Sequence, residues 1–297
     1  MAVMKLLQEK MPKIAAQKNS CMMQKPLILA VETSGRIGSV AIALGKKILA
    51  EKIFSGAMKH SSEIFPAISG LLKPLSRKPN DIEHIYISVG PGSFTGLRIA
   101  VALAKTMNLA NNAKIVAVDT LDVIAANAGD YIQKKNTALT RHSEQSEESL
   151  EKIAAILDAK RRQFFIAAYK LHPSQSNNTK DATRNTIALP QVYDIRYTIY
   201  EKILPDCLMT APKFLDRFAR KAKPISLLGE GLLYYKDEFK AEGIHFLPQE
   251  YWSPLAAKVH LLGYKKAMAG QFADPLTLQP TYLRRPQAEE KWQQHKT

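Results

Sequence analysis

The sequence predicts an α/β fold, with helices packed on mixed sheet, and three observations carry that expectation. Leu27-Ile28-Leu29-Ala30-Val31 is a continuous apolar run, the pattern of a central strand buried on both faces. Two more strand-like runs follow it at short spacing. Helix and strand patterns then alternate, so the order reads βββαβαβα, which groups a mixed sheet with helices.

Each element has its own local reason. The polar turn Thr33-Ser34-Gly35-Arg36 ends the first strand, Ser39 to Leu44 forms the second, and Gly45-Lys46 turns tightly into a third, Lys47 to Phe54. Ile64, Ile68, Leu71, Leu72 and Leu75 then fall at helical spacing, predicting a helix from Ser61 to Leu75. Ser61 or Ser62 is its expected cap, and Pro66 is expected to distort its first turns. His84 to Val89 is a fourth strand, a second helix runs from Ser93 or Thr95 to Asn108, and Lys114 to Val118 is a fifth strand. Thr120 is the expected cap of a helix over Leu121 to Ala128. Beyond a polar stretch, strand signals resume at Ile153 to Leu157 and Phe164 to Tyr169, and a last helix is expected over Ala256 to Ala269. No internal repeat is strong enough to use.

Composition narrows the class. The 297 residues are 46% hydrophobic and 23% charged, enough for one large domain or two modest lobes with real cores. No apolar run approaches the length of a membrane span, and the N-terminus does not read as a signal peptide. Cys21 and Cys207 lie far apart and form no metal or redox pair, which suits a reducing cytoplasm. The net charge of +15 favours association with RNA, although charge alone is not specific. The seven histidines form neither HxxxH nor HExxH, so no metal site is expected.

Two segments bear on chemistry. Ser88 to Arg98 joins a strand to a helix through Gly90, Gly92 and Gly96, with Ser93 at the helix start. Such a turn either cradles a phosphate on free backbone N–H groups or simply allows close packing. Glu32-Thr33-Ser34 resembles the first phosphate loop of actin-like phosphotransferases, where an acid holds Mg²⁺. Glu32, Thr33, Ser34, Gly90, Gly92, Ser93 and Gly96 are therefore the candidate phosphate loop. A working kinase also needs a second acidic loop and a glycine-rich adenosine site. Asp158-Ala159-Lys160 has no glycine after it, and Leu228-Gly229-Glu230-Gly231 is a poor adenosine loop. The small residues Gly96, Ala100 and Ala104 form a stripe that suits either a partner helix or the domain's own sheet.

Taken together, Ile28 to Ser34, Lys59-His60-Ser61-Ser62, Gly90 to Arg98, Leu157 to Arg162 and Pro280 to Pro286 with Ala288-Glu289 resemble the TsaB (YeaZ) family. The likeness runs from Leu27 to Glu289, with Glu32 and Lys160 departing from the usual Asp and Arg. The resemblance implies a two-lobed actin-like (ASKHA) fold. Its expected divisions are a disordered basic extension (1–25), a first lobe (26–130), an exposed insertion (131–151), a second lobe (152–285) with a polar loop near 172–186, and a tail (286–297). It further implies a non-catalytic, cytoplasmic subunit needed for threonylcarbamoylation of adenosine 37 in tRNAs reading ANN codons. The implied partners are the TsaD transferase and the TsaE ATPase, with a homodimer when alone and tRNA met through the complex. No cofactor of its own is implied, and ATP or ADP has a place only at the partner interface. The expected interface lies on the first two helices: His60, Ser61, Ile64, Ile68, Leu71, Leu72, Thr95, Leu97, Arg98, Ala100, Val101 and Ala104. An actin-like kinase is the alternative, and the absence of a histidine pair argues against a glycoprotease.

Overall fold

A computed structural model describes residues 25–57, 59–139, 150–171 and 200–284 of the chain. Most of the expected extension, residues 140–149 of the insertion, the polar loop and the tail lie outside them.

The first sheet is built on β1 (Leu27–Glu32), whose six residues are all buried. Successive side chains of a strand point to opposite faces. Leu27, Leu29 and Val31 accordingly pack with α1 (His60–Leu72) and α2 (Phe94–Asn111) on one side, while Ile28 and Ala30 meet α7 (Ala256–Met268) on the other. β2 (Ser39–Leu44) and β3 (Lys47–Ile53) continue the sheet antiparallel, and β4 (His84–Gly90) and β5 (Lys114–Asp119) extend it parallel. The resulting order is β3-β2-β1-β4-β5.

The second sheet repeats this plan. β6 (Lys152–Asp158) is its centre, β7 (Phe164–Leu171) and β8 (Tyr200–Met209) run antiparallel on one side, and β9 (Ile225–Leu228) and β10 (Ile244–Phe246) run parallel on the other. Its order, β8-β7-β6-β9-β10, matches the first strand for strand. The duplication that the sequence hides is therefore present in topology, and it gives the two-lobed actin-like architecture. Among the described residues no helix is long and apolar enough to cross a membrane.

Helices do not respect the expected lobe boundaries. α3 (Thr120–Ala125) and the start of α4 (Asn127–Leu139) place Leu121, Ile124, Ala125 and Ala128 in the second sheet's core, with α5 (Ala211–Phe218) and α6 (Leu232–Tyr235). Conversely, α7 packs on the first sheet, Ala273 bridges to Ile115, and the Thr281 N–H donates to the Val89 carbonyl at 2.7 Å. The divisions 26–130 and 152–285 thus need correction, because apolar periodicity names a buried face without naming the sheet that buries it. The expected insertion also begins as helix, since α4 runs to Leu139.

Local expectations fared unevenly. Lys59, not Ser61 or Ser62, precedes the first residue of α1, and the helix continues through Pro66. Ser93 caps α2 by accepting the Gly96 N–H, whereas Asp119 rather than Thr120 is the cap residue of α3.

Exchange of α7 between lobes has a measurable consequence. Val259 is fully buried against β1 and β2, so Val259→Asp leaves an unpaired charge in the first lobe and is expected to cost at least ~3 kcal/mol in a denaturant melt. The same change at exposed Leu276 is expected to stay within about 0.5 kcal/mol.

Candidate functional site

The carboxyl end of β1 meets the turn that launches α2. Glu32 is fully buried there, and its Oε1 accepts the Ser34 N–H at 2.6 Å and the Ser34 hydroxyl. Its Oε2 accepts the Ser88 hydroxyl of β4. With both oxygens taken, Glu32 ties two neighbouring strands together. The Thr33 hydroxyl donates to the Gly96 carbonyl at 2.7 Å, and the Ser93 N–H donates to the Ser34 carbonyl at 2.8 Å. A Cβ on Gly96 would stand 1.8 Å from the Thr33 carbonyl oxygen. The glycines of Gly90, Gly92 and Gly96 therefore serve close packing, and the chain's own Thr33–Ser34 backbone occupies the hollow of the turn. The seven candidate phosphate-loop residues do come together, but Glu32, Thr33, Ser34, Ser93 and Gly96 are bonded to one another, and Gly90 and Gly92 pack against neighbouring backbone.

Asp158 holds the equivalent place at the end of β6. Its Oδ1 accepts the Lys160 N–H at 2.7 Å and its Oδ2 the Lys160 Nζ at 2.9 Å. Lys160, Arg161 and Arg162 all have left-handed backbone, with φ of 67°, 56° and 54°. Side chains of this kind adopt that region rarely, so the turn is held open by its bonds to Asp158.

The helix pair is where the structure departs most from expectation. His60, Ile64, Ile68 and Leu72 of α1 are buried, as are Leu97, Ala100, Val101 and Ala104 of α2. Ile64, Ile68, Leu72, Ala100, Val101 and Ala104 belong to the core beneath the first sheet. His60 packs beside Phe54, 6.0 Å between ring centres. Of the twelve residues expected at an interface, only Ser61, Thr95 and Arg98 are exposed, and Leu71 is half-buried. The stripe found by periodicity is the stripe that packs at home. The apolar residues that the two helices turn outward include Phe65, 62% exposed, and Pro66 on α1, and Phe94, Ala102 and Leu109, the last 88% exposed, on α2. Their signal in the sequence was an apolar residue out of phase with its helix's own stripe.

Glu32 also responds to pH. Burial is the largest influence and pushes its pKa above the usual glutamate range, the Ser34 and Ser88 donors pull it down, and the Glu230 carboxylate pushes it up again. An acid that holds its proton more tightly when folded stabilises the fold fully below its unfolded pKa, and that contribution is lost as pH rises through the folded value. Glu32→Gln removes this titration while keeping an acceptor for Ser34. Thermal melts between about pH 4 and pH 8 should therefore fall off less for the variant than for the parent, with an equal or higher midpoint at neutral pH. Glu32→Ala, which strands the Ser34 amide and Ser88 hydroxyl, should cost about 2 kcal/mol.

Comparison with known proteins bears on the family and the fold. The family model described as TsaD, tRNA N6-adenosine threonylcarbamoyltransferase, matches residues 47–292. The tRNA threonylcarbamoyladenosine biosynthesis protein TsaB of Bacillus subtilis (strain 168) is 27% identical over 269 residues, 89% of this chain and 97% of that one. The solved structure of YeaZ from Pseudomonas aeruginosa superposes with a TM-score of 0.61 over 87% of this chain and all of that one, at 19% identity, a likeness of fold. A second Pseudomonas aeruginosa structure, of an uncharacterized protein with similarity to peptidase YeaZ, gives 0.62 at the same identity and coverage. Since the model spans most of the sequence and the Bacillus relative aligns along nearly its whole length, this chain belongs to the TsaD family and groups within it with the TsaB (YeaZ) proteins.

Proposed function

We propose that the chain is a non-catalytic subunit of the machinery that makes threonylcarbamoyladenosine in tRNA, acting as a heterodimer with a TsaD-type transferase. The relatives' role in threonylcarbamoyladenosine biosynthesis supports that placement. The non-catalytic part rests on one observation: the acids and backbone donors that chemistry would require are already bonded within the chain. Glu32 is saturated by Ser34 and Ser88, Asp158 by Lys160, and the turn before α2 is filled by Thr33–Ser34. The same geometry weighs against an actin-like kinase. Within the cytoplasmic complex, a TsaE-type ATPase and ATP or ADP would act at or beyond the subunit contact, and tRNA would be met through the partner.

The docking surface is the outward face of α1 and α2. An exposed leucine or phenylalanine buried against a partner contributes about 2 kcal/mol, and a few such anchors dominate most interfaces. Because the inward faces of both helices are fixed by the first sheet, the outward residues are presented with little freedom. When the chain is alone, a second copy is the natural occupant of the same face.

Phe65→Arg and Leu109→Arg should each abolish co-purification with the TsaD-type subunit and leave the melting temperature of the isolated chain within a degree or two. Ala104→Arg, by contrast, should unfold the chain, because Ala104 is fully buried. Undiminished association of both surface variants would remove the helix pair from the interface.

A further inference from the structure

Several contacts join the two lobes, and one of them runs through a buried carboxylate. Glu230 follows β9 within Gly229-Glu230-Gly231 and is 6% exposed. Its Oε2 accepts the backbone N–H of Arg36 at 2.7 Å, and its Oε1 accepts the Ser253 hydroxyl at 2.8 Å. Arg36 lies on the loop between β1 and β2, so this bond joins the two lobes. The surroundings reinforce it. The Arg36 guanidinium sits over the Tyr234 ring at 5.1 Å and donates to its hydroxyl. A Cβ on Gly35 would stand 2.8 Å from the Pro254 ring and 3.2 Å from Glu230 Oε2.

A backbone N–H at a loop tip, beside a guanidinium, attracts negative charge, and burial strengthens a charge-assisted bond to it. We propose that the place where the β1–β2 loop meets the second lobe is an oxyanion site, formed by the Arg36 N–H and the Ser253 hydroxyl with the Arg36 guanidinium nearby on Tyr234, which the chain fills with its own Glu230. The carboxylate does two things there. It occupies the position that a free carboxylate or phosphate would take, and it latches the β1–β2 loop to the second lobe. This inference stands apart from the tRNA reading, because it concerns only groups within the chain.

Chemical rescue tests it. Glu230→Ala should melt about 5 °C lower than the parent, from the loss of two hydrogen bonds to a charged group. Adding formate should restore at least half of that loss relative to chloride at equal ionic strength, while the parent is unmoved by the exchange. Rescue by inorganic phosphate as well would indicate a site roomy enough for a phosphoryl group, and rescue by formate alone one of carboxylate size. An unchanged melting temperature in Glu230→Ala, or no more recovery in formate and phosphate than in chloride, would overturn the proposal. Should the alanine variant not fold, Glu230→Gln reads the same contact: hydrogen exchange of the Arg36 amide should rise about tenfold, and unaltered exchange would overturn it.

Discussion

The seating of the Thr33–Ser34 backbone in the turn before α2 is the contact on which the rest of the molecule depends. The Ser93 N–H and the Thr33 hydroxyl close it from both sides, and only a residue without a Cβ fits at Gly96. That contact sets how close α2 lies to β1 and how the helix is rotated. Leu97, Ala100 and Ala104 then fall inward, and Ala102 and Leu109 fall outward. One constraint thus fills the turn and sets which face of α2 is turned outward.

The two lobes use their strand-end acids in the same way. At the end of the central strand of each sheet, a carboxylate accepts the backbone N–H two residues on, Glu32 from Ser34 and Asp158 from Lys160. Such local bonds stabilise turns, and an acid committed to one has lost acceptor capacity for a ligand. The duplicated topology makes this a shared device and not a coincidence of one loop. Glu230 adds a third carboxylate to the pattern, committed across the lobes instead of along the chain.

Much of the fold was legible because burial writes itself into spacing. The apolar run of β1, the helical stripe of α1, and the glycines before α2 each reported a real structural demand. The division into lobes was not legible, since α3 and α7 carry apolar faces that suit either sheet and the chain exchanges them. The burial of most residues expected at an interface has a related reason. Ile64, Ile68 and Ala104 are periodic because they are core. Phe65 and Leu109 stand outside that pattern and are exposed.

The central claim is that the acid resembling a catalytic ligand works only as a strut, within a chain whose task is to support a transferase. The most direct measurement is the threonylcarbamoyladenosine content of bulk tRNA, by mass spectrometry, in cells depleted of this protein and supplied with its Glu32→Gln form. The account predicts loss of the modified nucleoside on depletion and full restoration by the variant. Restoration by the parent chain alone, with the variant folded and present at equal level, would contradict it.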